Sequence, residues 1–283
     1  METLTLLCVV AAGLVFGSFF NVVIYRLPRD MSLAYPPSSC PSCKTRIKPY
    51  DNIPVLSYFI LRGKCRKCGQ RISPIYPAVE ALTAVGFVLV FVNAGRVISL
   101  EFIAGCVFTS ALIVLGLIDA QHQILPDEIT MPGLVLALAY AFFRNDLPFR
   151  DALLVFDFPW LKGAALGSGR PFREALVGAI LGAGFLILVY GAYYLVRKKE
   201  GMGMGDVTMM LMVGATVGPW RTLLVLILGS FVGALIGIFF MIRYGKKSLQ
   251  YAVPFGTFLA PAAFVAMLWG EGIVRAYLNL FRR

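Results

Sequence analysis

Long apolar runs set the terms on which this chain can fold. No charged residue interrupts Leu4 to Tyr25. Further apolar stretches follow at roughly 76–93, 100–118, 129–143, 174–196, 207–218, 222–242 and 254–274. A bilayer core of about 30 Å takes about 20 apolar residues per helix, so these runs predict about eight spans in an all-α polytopic membrane protein. The 129–143 and 207–218 stretches are short and need extension into their flanks. Composition excludes the alternatives: 59% of residues are apolar and 14% charged, whereas a soluble domain has about half and a quarter. Neither a water-soluble globule nor a disordered chain has that balance.

The formal net charge is +11. In so apolar a chain this excess points to cationic loops at an anionic membrane face, and no nucleic-acid partner is expected. Met1-Glu2-Thr3 carries no basic residue, while Arg26 and Arg29 follow the first run. A secretory signal has the opposite polarity and a shorter apolar core, so a retained first span with an outside N-terminus is expected. Eight spans from that start put 26–75, 119–128, 197–206 and 243–253 in the cytoplasm. Those loops hold 16 of the 26 Lys and Arg residues, ten of them in 26–75. The positive-inside rule agrees, although five more lie between Arg144 and Arg173. The expected domains are a first span (1–25), a cytoplasmic loop (26–75) and a seven-span membrane domain (76–283). Residues 151–166 read as an outer loop at the interface. Gly178 and Gly182, and Gly229, Gly233 and Gly237, stand four apart and predict close helix packing.

Four of the six cysteines lie in the 26–75 loop, as Cys40-Pro-Ser-Cys43 and Cys65-Arg-Lys-Cys68. Two CxxC pairs at this separation suit a tetrahedral thiolate site for structural zinc, with Cys40, Cys43, Cys65 and Cys68 as ligands. Four thiolates leave no open position for water. Two disulfides are the competing reading, but the expected topology puts the loop in a reducing compartment. Cys8 and Cys106 fall within spans and read as small apolar residues. His122 is the only histidine, which excludes a three-histidine metal site.

Carboxylates at membrane depth mark function by default. Asp119 closes the third span, where the helix dipole disfavours a negative charge, so capping does not explain it. Asp127 follows Pro126 and is well explained as a helix N-cap. Asp206 ends Gly201-Met-Gly-Met-Gly-Asp206, whose glycines break regular helix and allow close approach. The topology puts Asp119 and Asp206 at one membrane edge. Two carboxylates sharing one water make an aspartic protease, one ionised as base and the other protonated as acid. From the helix ends alone, Asp206 is expected to start as the base and Asp119 to hold the proton. A transporter or channel with a regulatory zinc finger also fits a discontinuous Gly-rich helix.

The residues now on the page resemble the prepilin peptidases (type IV leader peptidases), GxGD-type intramembrane aspartic proteases. The likeness runs through Gly17-Ser-Phe-Phe-Asn-Val-Val-Ile-Tyr-Arg-Leu-Pro28, the paired CxxC loop, Asn52-Ile-Pro54 and Ile72-Ser-Pro-Ile-Tyr-Pro-Ala-Val-Glu80. It continues through Asp119, Leu125-Pro-Asp127, Gly203-Met-Gly-Asp206 and Pro254-Phe-Gly256. The resemblance implies that Asp119 and Asp206 are the catalytic pair and that the four cysteines bind zinc. It implies removal of a basic leader from prepilins or pseudopilins after a glycine, at the cytoplasmic face of the bacterial inner membrane. It further implies N-methylation of the new N-terminal residue from S-adenosylmethionine, which leaves a membrane methyltransferase lacking protease activity as a further alternative. No Gly-rich Rossmann fingerprint is present, so no residue is assigned to the methyl donor. Two positions depart from the family pattern: Gln121 stands where a second acidic residue is common, and Thr208 where lysine is common.

Overall fold

The computed structural model describes residues 2–143, 171–198, 203–244 and 254–281. The expected outer loop at 151–166 lies outside the described residues, as do Gly201 and Met202. Among the described residues the regular structure is helical, joined by short turns and two isolated β-bridges.

The helices are α1 (Glu2–Arg26), α2 (Leu56–Ile60), α3 (Ile75–Asn93), α4 (Leu100–His122), α5 (Asp127–Phe143), α6 (Pro171–Arg197), α7 (Met204–Val217), α8 (Pro219–Tyr244) and α9 (Gly256–Phe281). Apart from the one-turn α2, they coincide with the eight apolar runs. Six of them, α1, α3, α4, α6, α8 and α9, are long and apolar enough to cross a bilayer. The two short runs are short helices: α5 has 17 residues and α7 has 14. At 1.5 Å per residue α7 is about 21 Å long, less than the roughly 30 Å hydrocarbon core. Gly218, at φ 79°, ends α7, and Pro219 opens α8 at once.

The chain forms two compact units, Met1–Val114 and Leu115–Arg283. In the first, α1 packs on α3. A Cβ on Gly13 would stand 2.5 Å from Ala84 Cα, and one on Gly17 would stand 2.6 Å from Glu80 Cα. Backbones this close exclude any larger residue, the same small-residue packing expected further along the chain. Buried Arg26 folds the chain back after α1 by donating to the Ser32 carbonyl at 2.8 Å and the Pro36 carbonyl at 2.6 Å.

In the second unit the short α7 is the innermost element. Met209, Met210, Met212 and Val213 are fully buried along one half of it, and Val207 and Ala215 are buried on the other. Such a helix needs no lipid-spanning length, because neighbouring helices cover it. Gly178 of α6 meets the backbone of Gly214 on α7, and a Cβ on Gly182 would lie 2.9 Å from the Met210 carbonyl oxygen. Gly229 and Gly233 of α8 pack on Leu259 and Phe258 of α9, while Gly237 has open space. Exposed Ile180, Leu188 and Leu195 on α6, with Phe231, Phe239 and Ile242 on α8, give the unit an apolar exterior suited to lipid.

Candidate functional site

In the first unit the cysteine loop builds two hairpins with one hydrogen-bond plan. In the first, the Cys40 amide donates to the Thr45 carbonyl and the Lys44 amide donates to the Cys40 carbonyl, each at 2.9 Å. In the second, the Cys65 amide donates to Gln70 at 2.8 Å and the Gly69 amide donates to Cys65 at 2.9 Å. A β-bridge closes each hairpin, Ser39 with Arg46 and Lys64 with Arg71. The equivalent fifth positions, Lys44 and Gly69, are left-handed at φ 55° and 70°.

These turns bring the Sγ atoms of Cys40, Cys43, Cys65 and Cys68 within 4.8 Å of one another. Cys40 and Cys68 are 3.8 Å apart, and all four cysteines are free thiols. A tetrahedron with Zn–S bonds of about 2.3 Å has edges of about 3.8 Å, so the donor set fits a closed thiolate metal site. The Thr45 hydroxyl, 3.4 Å from Cys43 Sγ, and the Thr45 amide hold the Cys43 thiol down to about 6. That favours the thiolate a metal needs. Beside the cluster, Arg66 forms a bidentate pair with Asp51, its Nε standing 2.9 Å from Oδ2 and 3.0 Å from Oδ1. The Asn52-Ile-Pro54 bend is tied to α3 where Glu80 Oε2 accepts the Val55 amide at 2.6 Å.

In the second unit, Asp119 and Asp206 come together at the start of α9. Asp119 occupies the last turn of α4, which the left-handed Gln123 ends at φ 56°, its amide bonding back to the Asp119 carbonyl at 2.8 Å. Asp206 is the third residue of α7. The N-cap position belongs to Gly203, whose backbone is extended, and Gly205 is helical. Asp206 is therefore not an N-cap, and the part of the glycine run described here enters the helix rather than breaking it. The reason is steric: a Cβ on Gly205 would stand 2.8 Å from Leu125 Cβ, so glycine is needed for approach.

Both carboxylates are buried, Asp119 at 5% and Asp206 at 7% exposure. They lie close enough to repel each other electrostatically. The first two amides of α9 divide between them. Gly256 N–H faces Asp206, and Thr257 N–H donates to Asp119 Oδ2 at 2.7 Å. The Thr257 hydroxyl adds a second contact to the same oxygen at 3.0 Å. A side chain at Gly256 would be tight, since its Cβ would lie 3.0 Å from both Asp119 Oδ2 and Leu125 Cδ1. The three segments Leu125-Pro-Asp127, Gly203–Asp206 and Pro254–Gly256, far apart in the chain, thus form one site.

Asp127 opens α5, and its Oδ1 lies 3.2 Å from the Thr130 hydroxyl, a local structural role. Thr208, in place of the common lysine, donates its hydroxyl to the Gly205 carbonyl at 3.0 Å and accepts from the Thr130 hydroxyl at 3.3 Å, linking α7 to α5. Gln121 and His122 lie in the last turn of α4. Residue reasoning missed Thr257. Its sequence signal is weak, a threonine beside a motif known only from resemblance.

Residues 11–94 match the bacterial peptidase A24 N-terminal domain, and residues 106–238 match the type IV leader peptidase family. The chain belongs to the type IV leader peptidase family. A Pseudomonas putida protein named prepilin leader peptidase/N-methyltransferase is 36% identical over 95% of this chain and 92% of its own length. A Pseudomonas aeruginosa protein of the same name is 35% identical over 96% and 93%. One from Myxococcus xanthus is 37% identical over 83% of this chain and 62% of its own length. No solved structure gives a significant match.

Proposed function

We propose that this membrane protein is a prepilin leader peptidase that works as an aspartic endopeptidase on Asp119 and Asp206 and then N-methylates its product. The observation that carries the catalytic assignment is the meeting of these two buried carboxylates at the N-terminus of α9. One aspartate takes a proton from water as the oxygen attacks the scissile carbonyl carbon. The other gives its proton to the carbonyl oxygen. The tetrahedral intermediate then collapses, the C–N bond breaks, and the amine leaves with the proton first taken from water. Transport, or methyl transfer alone, would leave the pair without this work and is not favoured in a leader peptidase family.

The substrate is a prepilin or pseudopilin, an apolar helix preceded by a cationic leader and cut after glycine. The apolar stem partitions into the bilayer beside the helices. Asp127 and Glu128, exposed in the first turn of α5, face the leader together with Asp119, since the strongly basic 26–75 segment repels it. Glu200, expected to help, lies outside the described residues. In this reading the chain sits in the bacterial inner membrane with its N-terminus outside, and the cysteine loop and both aspartates are cytoplasmic. It divides into a first span (1–25), the loop (26–75) and a membrane domain (76–283).

Cys40, Cys43, Cys65 and Cys68 hold zinc, which staples a loop poor in apolar residues. S-adenosylmethionine supplies the methyl group. The described residues contain no β-strand, so the donor is not held by a Rossmann unit among them. The test is cleavage of a purified prepilin with and without S-adenosylmethionine. Wild type should yield methylated mature pilin with the donor and unmethylated mature pilin without it. Unchanged cleavage by Asp119→Asn would end the catalytic assignment.

A further inference from the structure

We propose that Thr257 is a positioning residue that decides which aspartate carries the charge, making Asp119 the general base and Asp206 the acid. The proposal rests on the aspartic-protease reading above and reverses the roles expected from the helix ends alone.

Asp119 Oδ2 receives Thr257 N–H at 2.7 Å and the Thr257 hydroxyl at 3.0 Å. An oxygen accepting two donors has no place for a proton of its own, and such bonds strengthen when the acceptor is ionised. The hydroxyl has a single proton and a second possible acceptor, the Gly116 carbonyl at 3.3 Å. The carboxylate is nearer and charged, so it takes the bond. Thr257 also brings the N-terminus of α9 to Asp119. The positive end of that helix opposes the unfavourable dipole of α4, which was the reason to expect the proton on Asp119.

Asp206 is less fully held. It faces the Gly256 amide, but its Oδ1 is buried and has no protein hydrogen-bond partner among the described residues. A bare charge there carries the full desolvation penalty, whereas a protonated oxygen becomes a donor for the substrate carbonyl. Asp206 on α7 is the titratable group that faces Asp119. Beside the pair, α9 presents Gly256 and Thr257 and the α4–α5 connection presents Leu125, none of which titrates. His122 lies three residues on along α4 itself.

The experiment compares wild type, Thr257→Val and Thr257→Ser in prepilin cleavage across pH, with circular dichroism as the check on folding. Thr257→Val keeps the amide and loses the hydroxyl. Its kcat should fall about tenfold with KM unchanged. The acid limb of its rate profile should move to higher pH by about one unit, as loss of one hydrogen bond to a charged group implies. Thr257→Ser should restore both. A Thr257→Val profile that overlays the wild type overturns the proposal, and so does a Thr257→Ser profile still displaced. If Thr257→Val does not fold, Thr257→Ser decides alone, since wild-type kcat and profile are required of it. Failure of the protease reading itself looks different: Asp119→Asn and Asp206→Asn would then cleave normally whatever Thr257 carries.

Discussion

The cysteine loop and the aspartate site are both sets of ionisable side chains brought to one point, but they are assembled in opposite ways. Each half of the cysteine cluster is a local hairpin, closed by hydrogen bonds between residues four or five apart. The aspartate site has no local half. Asp119 and Asp206 stand in different helices, and the group that holds Asp119 is Thr257, 138 residues away in the chain. A local site tolerates looseness in the rest of the molecule. A site made from the ends of three packed helices is only as exact as their packing, which is why glycines stand where the segments touch.

The contrast is most simply broken at the carboxylates. Asp119→Ala or Asp206→Ala should reduce leader cleavage by at least about a thousandfold, the upper range of acid–base contributions. Methylation of an already cleaved pilin should survive, and mass spectrometry of the two products checks both. Next comes Gly256→Ala, whose Cβ would stand 3.0 Å from Asp119 Oδ2. The carboxylate must give by a few tenths of an ångström, which should lower kcat by about tenfold without unfolding the helices. Normal turnover by this variant would mean that the site is looser than its contacts imply.

The cysteine loop should respond in stability rather than in turnover. Cys43→Ser should lower bound zinc well below one per chain and open the 40–68 segment to protease, as metal analysis and limited proteolysis would report. Because the two hairpins share one plan, their left-handed positions can be exchanged. Gly69→Ala should destabilise the loop by about 1 kcal/mol, and Lys44→Gly should stabilise it by a similar or smaller amount. Equal and null effects would show that the hairpins are not equivalent. The smallest effect belongs to Asp51. Arg66 holds its carboxyl below the usual carboxylate range. The stability it contributes is present above the unfolded value of about 3.9 and is lost as pH falls through the folded one. Both partners reach solvent, so Asp51→Asn should shift thermal melting only slightly.

How much of this was legible beforehand follows the same division. The six long helices could be read because 20 apolar residues in a row have few other destinations. The four-cysteine cluster could be read because CxxC spacing already contains its geometry. The residue type of Asp206 is visible in the sequence, but its place inside α7 is not, because Gly203 takes the cap and Leu125 presses on Gly205. The glycine pairs of α6 and α8 were visible, whereas Gly13 and Gly17, at the same spacing in α1, were not singled out for packing. Thr257 was not legible at all, since nothing near it in the chain says that a carboxylate from α4 will lie against it.

The amino-acid order alone therefore determined a helical membrane protein, a loop that gathers four cysteines and two acids at helix ends. These follow from hydrophobic transfer, thiolate chemistry and the cost of burying charge, which act over one span or one turn. Tertiary structure alone decided how the acids are held. The packing of α9 on α4 and α7 gives Asp119 both the amide and the hydroxyl of Thr257 but gives Asp206 the amide of Gly256, and that packing creates the difference between two chemically identical carboxylates.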